Sequence, residues 1–331
     1  MKAIPYILIV ALILIGCETS LFNRRDDLIK TMAKNTSITS TDISHQIFTK
    51  SSFDCTDYDG SYNSNVKDLK NSKDFSGNLT VIADKTACSL TSNNIPNHDF
   101  NDETAHFATN VSERHKSFSI PRHPQPAARN SGLTHHAWDA VLLNGVVVDL
   151  LSAGCYKPNS WRADSEGNIQ AGCSEDDNWL LVPLETTHKF GADQHNAHVQ
   201  PDGSYHYHGN PKAMFDNSPS GKGSPVIGFA ADGFPIYGEY ILDSNTGQFR
   251  KVLSGYALKK GSRGTKSDSN PGGTYTGLYE QDWEWTGSGD LDECNGMSRD
   301  GQYGYYVTSS YPYILACHKG IPDPSFSKRR N

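Results

Sequence analysis

The sequence predicts a mainly β protein: a compact single domain of short antiparallel strands and hairpins, with long loops and three disulfides. Three observations carry this expectation. First, Asn144-Gly145 lies between two runs of β-formers in "WDAVLLNGVVVDLL", a strong short-range hairpin signal. The same pattern recurs around Asp232-Gly233 in "PVIGFAADGFPIYGEYIL", and a third pair of extended runs flanks Ser309-Ser310 in "YGYYVTSSYPYILAC". Second, the chain shows neither an internal repeat nor a long amphipathic helical pattern. Third, with Cys17 set aside, six cysteines remain (Cys55, Cys88, Cys155, Cys173, Cys294, Cys317). An even count in an exported chain favours disulfides over metal thiolates. Sequence proximity favours Cys55–Cys88, Cys155–Cys173 and Cys294–Cys317, each restricting the unfolded chain by roughly 3 kcal/mol. A metal site in such a chain draws on His, Asp, Glu, Tyr or backbone oxygens.

The elements follow in chain order. Residues 1–17 read as a cleaved leader: Lys2, the apolar "IPYILIVALILI", then Leu14-Ile15-Gly16-Cys17, too short and one-sided for a spanning helix. The ending "LIGC" resembles a bacterial lipobox, which implies a lipidated Cys17. The expected location is the cell envelope, lipid-anchored at the outer membrane, on its periplasmic side or at the cell surface, with the membrane as a partner through Cys17. Residues 18–52 are polar and read as a flexible tether. Residues 53–114 are expected to form an N-terminal lobe, 115–322 the main domain and 323–331 a polar tail. Within the main domain, 156–177 is a polar insertion held by its cysteines and 258–275 a flexible loop. The formal net charge is −7, with no long basic run before the terminal "KRR", so nucleic acid is not an expected partner.

Four of the 13 histidines fall in "DQHNAHVQPDGSYHYHGNP", residues 193–211. In a strand, side chains i and i+2 share a face. His206 and His208 therefore stand together, with Tyr205 and Tyr207 opposite. Pro201-Asp202-Gly203 is a turn signature that can fold "DQHNAH" back over the strand. One helical turn there would bring His195 and His198 to a common side. Turn geometry thus permits Asp193, His195, His198, His206 and His208 to converge on one ion. Such ligands suit a divalent transition metal, copper or zinc before nickel or iron, and not Ca or Mg. Ordinary surface or core histidines remain the alternative reading.

The ordered motifs "DGSYHYHGNP", "IGFAADGFPIYG", "LDECNG" and "YYVTSSYPYILACHKG" resemble the YHYH domain family of exported bacterial proteins, over about residues 115–320. The resemblance implies a compact exported domain whose namesake histidines are suspected metal ligands. It implies no settled reaction. Where the family pattern has Cys and Gly ahead of its conserved-pattern His, this chain has His195 and Ala197; His198 keeps the His. His198 is thereby a stronger candidate than His195, and His318, where an aromatic is more usual, a weak one.

Asp232 is a candidate general base or orienting partner for a ligand imidazole, its alternative being a plain turn aspartate before glycine. His135 and His136 point apart if extended, so one can join the site. Of Asp292 and Glu293 only one can face it. Tyr205, Tyr207 and Tyr237 can flank a copper ion or simply pack. Trp283, Trp285 and Trp161 can stack on a sugar. There is no G-x-S-x-G elbow, phosphate loop or "HExxH". The expected function is an exported lipoprotein with a His-rich divalent-metal site, whose ion assists hydrolysis of a small-molecule or polysaccharide substrate. The alternatives are a copper-dependent oxidoreductase and a non-catalytic metal- or polysaccharide-binding surface protein.

Overall fold

Alternation of apolar and polar side chains builds the first of two sheets. In the computed structural model, which describes residues 40–329, β3 (Lys73–Ala83) buries Phe75, Gly77, Leu79 and Val81 and turns Ser76, Asn78 and Thr80 outward. The same period of two runs through β2 (Gly60–Asp68), β4 (Ala87–Ser92) and β5 (Lys116–Pro121), as expected of a sheet with one face on a core. These strands lie in the order β1-β2-β3-β4-β5, antiparallel except that β1 (Thr41–Asp42) runs parallel to β2. The expected leader, Cys17 and the first part of the tether lie outside the described residues.

The second sheet has eight short strands. In spatial order they are Ala197–Val199, Tyr205–Tyr207, Val147–Val148, Ala140–Leu142, Val226–Ala230, Pro235–Tyr237, Gln302–Tyr306 and Gly296–Arg299. Its central strands are buried on both faces and read as near-continuous apolar runs. Parallel pairing occurs at 205–207 with 147–148 and at 235–237 with 302–306; the other pairs are antiparallel. One core draws on both sheets, Leu79, Leu90, Phe118 and Ile120 meeting Val141, Val147, Phe229 and Ile236. The protein is mainly β, with short 3-10 turns in place of long helices. Among the described residues no helix is long and apolar enough to cross a membrane.

The hairpins at Asn144-Gly145 and Asp232-Gly233 form where the turn residues place them. The third expected pair does not. Residues 307–316 close a tight loop, with Thr308 N–H on Tyr313 O at 2.8 Å and Tyr313 N–H on Ser310 O at 3.0 Å. Gln302–Tyr306 pairs instead with Gly296–Arg299 and Pro235–Tyr237. The three disulfides are Cys55–Cys88, Cys155–Cys173 and Cys294–Cys317.

Packing also revises four segments. Residues 40–52 were expected as the end of the tether, yet they lie on the domain. Ile43 is buried, Asn97 Nδ2 donates to the Ile43 and Gln46 carbonyls, and Phe48 N–H bonds Met214 O at 2.9 Å. The first sheet runs through Pro121, past the expected lobe boundary near residue 115. The polar tail packs as well: Phe326 is fully buried and stacks on Phe118 with ring centroids 4.4 Å apart. In the expected flexible loop 258–275, the buried Arg263 guanidinium forks onto Asp282 at 2.7 and 2.5 Å, a bidentate pair that fixes the loop's root.

Candidate metal centre

The hairpin 197–207 positions the histidines. Gly203 takes a left-handed backbone (φ 90°) at its turn, where a Cβ would strike Ser112, so glycine is required there. Gln200 N–H bonds Ser204 O at 2.9 Å and closes the turn. The register then sets His198 directly across from His206. Cross-strand partners of this kind have Cβ atoms about 4.5–5.5 Å apart. His208, two residues on, lies on the same face as His206. The result is a triad: His206 Nε2 is 3.1 Å from His208 Nε2, which is 3.0 Å from His198 Nε2. These three residues are a group that could hold a metal ion.

The other ring nitrogens fix the tautomers. His198 Nδ1 lies 2.6 Å from the Phe190 carbonyl, and His206 Nδ1 3.2 Å from the Ser204 carbonyl. A carbonyl only accepts, so both rings carry their proton on Nδ1 and present a bare Nε2. Phe190 turns its carbonyl inward through a left-handed backbone (φ 52°), a conformation that costs a non-glycine residue about 1–2 kcal/mol. His208 Nδ1 meets no acceptor in hydrogen-bonding geometry, although the Leu150 backbone lies near enough to favour the ring's charged form. At best one proton, on His208 Nε2, serves two facing lone pairs. A cation satisfies all three. Nitrogens about 2.0–2.1 Å from a tetrahedral zinc ion stand about 3.3 Å apart, close to the spacing seen. Burial, then the neighbouring rings, hold His206 and His208 well below the ordinary imidazole range, and burial lowers His198 too. The rings are therefore neutral at pH 7, the form that ligates metal.

Around the triad lie two buried carboxylates and two lysines. Asp149 accepts from Gln200 Nε2 at 2.5 Å and from Lys328 Nζ at 2.7 Å, and its charge favours protonation of His198. Asp139 accepts from Leu150 N–H at 2.7 Å. Burial, followed by the negative charge of Asp149, pushes the Asp139 carboxyl up. Trp138 stands 6.4 Å from the His206 ring, with Lys116 and Lys328 ammonium groups 4.5 and 4.8 Å from its own.

A cleft of about 170 Å³ opens beside His208. Leu133, Leu150, Leu180, Val182 and Leu315 form much of its wall, with Glu175, Glu280, Tyr311 and Tyr313 as polar members. Glu175 is engaged by Thr134 Oγ1 and by His135 Nδ1, the latter at 2.9 Å. The Thr134 hydrogen bond does most to hold its carboxyl down, to about 2. Glu280 has its carboxyl pushed up to about 7 by burial, although part of its surface still reaches solvent.

Of the expected ligands, the structure brings together His198, His206 and His208 and leaves out two. Asp193 is spent on structure: Oδ2 accepts from Tyr205 O–H at 2.7 Å and Oδ1 from His195 N–H at 2.9 Å. Its carboxyl is pushed up to about 6, mainly by burial. His195 stacks on His98, ring centroids 3.9 Å apart, on the tyrosine side of the hairpin. The expected helical turn is absent because residues 197–199 are strand and Asn196 is left-handed (φ 59°). Asp232 is also structural. It accepts from Tyr305 O–H at 2.6 Å and Gly320 N–H at 2.8 Å, tying the two segments together, and does not line the cleft. His318 Nε2 bonds the Asp139 carbonyl at 3.1 Å. Tyr205 and Tyr207 face away from the triad, and Tyr237 stacks on Tyr306. Trp283 lies flat on Tyr311, while Trp161 is 92 % exposed. Sequence reading missed Asp149, Glu175 and Glu280, which carry no local motif.

A family model described as YHYH protein matches residues 117–320, the segment that holds the triad and every cleft residue. No curated protein and no solved structure matches the chain.

Proposed function

The chain belongs to the YHYH family, and from that premise we propose that it is an exported, lipid-anchored protein that holds one divalent transition metal on His198, His206 and His208 and uses it in hydrolytic chemistry. The single observation that carries this reading is the convergence of the Nε2 atoms of three neutral imidazoles, those of His198 and His206 bare and that of His208 in a cleft wall. His198, His206 and His208 would hold the ion, and three protein ligands are the pattern of catalytic zinc sites. When bound, the ion supplies Lewis acidity and an activated water. The chain's own residues do the rest. The Phe190 and Ser204 carbonyls orient two of the ligand rings, as outer partners of metal-bound histidines do. Asp149, paired with Lys328, favours the charged form of His198 without joining the triad. A copper–tyrosine oxidase is less well supported, since Tyr205 and Tyr207 are committed to hydrogen bonds on the far face.

The three disulfides and the family are consistent with export; anchoring through Cys17 is part of the proposal. The test is elemental analysis of the full chain purified from the cell envelope without chelators. One zinc ion per chain is expected, falling to none in His206→Ala/His208→Ala. Copper with a visible absorption band would favour the oxidase, and stoichiometric metal in the double variant would sink the triad. In the same cells Cys17→Ser should move the protein from the detergent-requiring fraction to the soluble one; an unchanged distribution would remove the anchor.

A further inference from the structure

The cleft beside His208 contains a carboxylate with no counterpart. Glu280 sits at the start of the short turn 280–282, fixed by its N–H on Leu180 O at 2.9 Å. Its side chain makes no hydrogen bond or ion pair to any described residue, and burial is the one influence acting on its ionisation. The ionisable groups that feel its charge are Asp139, Tyr256 and Tyr311, which are acids or neutral. Buried carboxylates are ordinarily paired or hydrogen-bonded. The other cleft acid illustrates this: Glu175 has both Thr134 and His135. No lysine or arginine lines the cleft.

Size adds a second constraint. At about 170 Å³ the cleft is near the volume of a cavity that admits one benzene ring. A polymer cannot enter it, although one sugar ring or one side chain can. An anionic group would meet two carboxylates and no lysine or arginine, while an ammonium would meet an unpaired acceptor.

We propose that this cleft is the substrate site, that it takes a single ring or side chain bearing an ammonium group, and that Glu280 is the residue that recognises the cation. The chemical class is a small primary amine, free or displayed on a larger molecule, as on an amino sugar or at the end of a lysine side chain. Glu280 is a specificity residue, and His208 borders the same space, so the recognised amine lies next to the triad. The inference rests on the functional reading above for the meaning of "substrate", and on the cleft alone for its charge preference.

The experiment is calorimetric titration of the full chain at pH 8 with three probes sharing one ring: benzylammonium, benzyl alcohol and benzenesulfonate. Benzylammonium should bind about 10–100-fold tighter than benzyl alcohol, the range for a hydrogen bond to a charged group, and benzenesulfonate weakest of all. Glu280→Gln should bring benzylammonium and benzyl alcohol to within about threefold at unchanged metal content, the lost factor being that same bond. Ala316→Phe, which fills the cleft, should abolish binding of all three. The proposal is overturned if benzenesulfonate binds as tightly as benzylammonium, if Glu280→Gln leaves the order intact, if Ala316→Phe binds the probes like the parent chain, or if the parent binds none. Running the series on His206→Ala/His208→Ala separates the two readings. A metal-free chain that keeps the ammonium preference defeats the metal centre's role in recognition but leaves Glu280 standing. A metal-loaded parent without the preference does the reverse.

Discussion

On one face of the Tyr205–Tyr207 strand, His206 and His198 each meet His208 through Nε2 atoms whose hydrogen-bond partners are one another's rings. On the opposite face His98 and His195 are packed even closer, ring centroids 3.9 Å apart. There both His98 nitrogens are satisfied: Nε2 lies 2.6 Å from the Tyr207 hydroxyl and Nδ1 2.7 Å from the Asp99 carbonyl. Both faces are buried, and both depress their imidazoles, His195 to about 4 and His98 to about 3, through burial first. Density and burial of histidine are common to the two faces. What separates them is that His198, His206 and His208 turn three ring nitrogens on one another, whereas His98 finds a hydroxyl and a carbonyl and His195 leaves a single buried Nδ1 without a partner.

The largest test of that distinction is pH. Burial lowers the triad's folded-state pKa values below the unfolded 6.5. Above that value both states are neutral, and the contribution to stability is fully present. As pH falls below it the unfolded chain takes up protons that the fold refuses, so stability is lost, and protons compete for the same nitrogens as the metal. Equilibrium dialysis should show a loaded chain at pH 7.5 and an empty one by about pH 4–5. Full loading at pH 4 would place the ion away from the histidines. A smaller effect is expected for Tyr207→Phe, which strips His98 Nε2 and Asn144 Nδ2 of the hydroxyl at 2.6 and 2.9 Å. Denaturant melts should show a loss of about 1–3 kcal/mol with metal stoichiometry untouched; loss of the ion would mean that the two faces are coupled. His195→Ala should cost least, about 1 kcal/mol, because it removes a ring contact together with an unpartnered buried Nδ1. Metal affinity should stay within about twofold, and a tenfold drop would return His195 to the site.

The parts of this site legible in the sequence were those governed by short-range geometry. A period of two put His206 and His208 on one face, and Pro201-Asp202-Gly203 brought His198 back to them. The error at His195 arose in the same loop, where a helical turn was assumed and a left-handed Asn196 made a strand instead. Asp193 and Asp232 misled because a buried turn aspartate and a catalytic one look alike in sequence; hydrogen bonds to Tyr205 and Tyr305 tell them apart. The disulfide pairing followed from proximity. The cleft did not, since Leu133, Leu150, Glu280 and Tyr311 come from four distant segments with no shared pattern. The misread extended pair at 309–310 belongs with it, because strand pairing across more than sixty positions, as between Pro235–Tyr237 and Gln302–Tyr306, leaves no local trace.

The counter-charge of Asp149 comes from Lys328, near the end of the described chain, and Phe326 seats itself on Phe118 just before it. The two partners lie 179 positions apart in the sequence. A buried carboxylate deprived of its cation is left uncompensated, so unseating Phe326 reaches, through Lys328, the surroundings of the histidines.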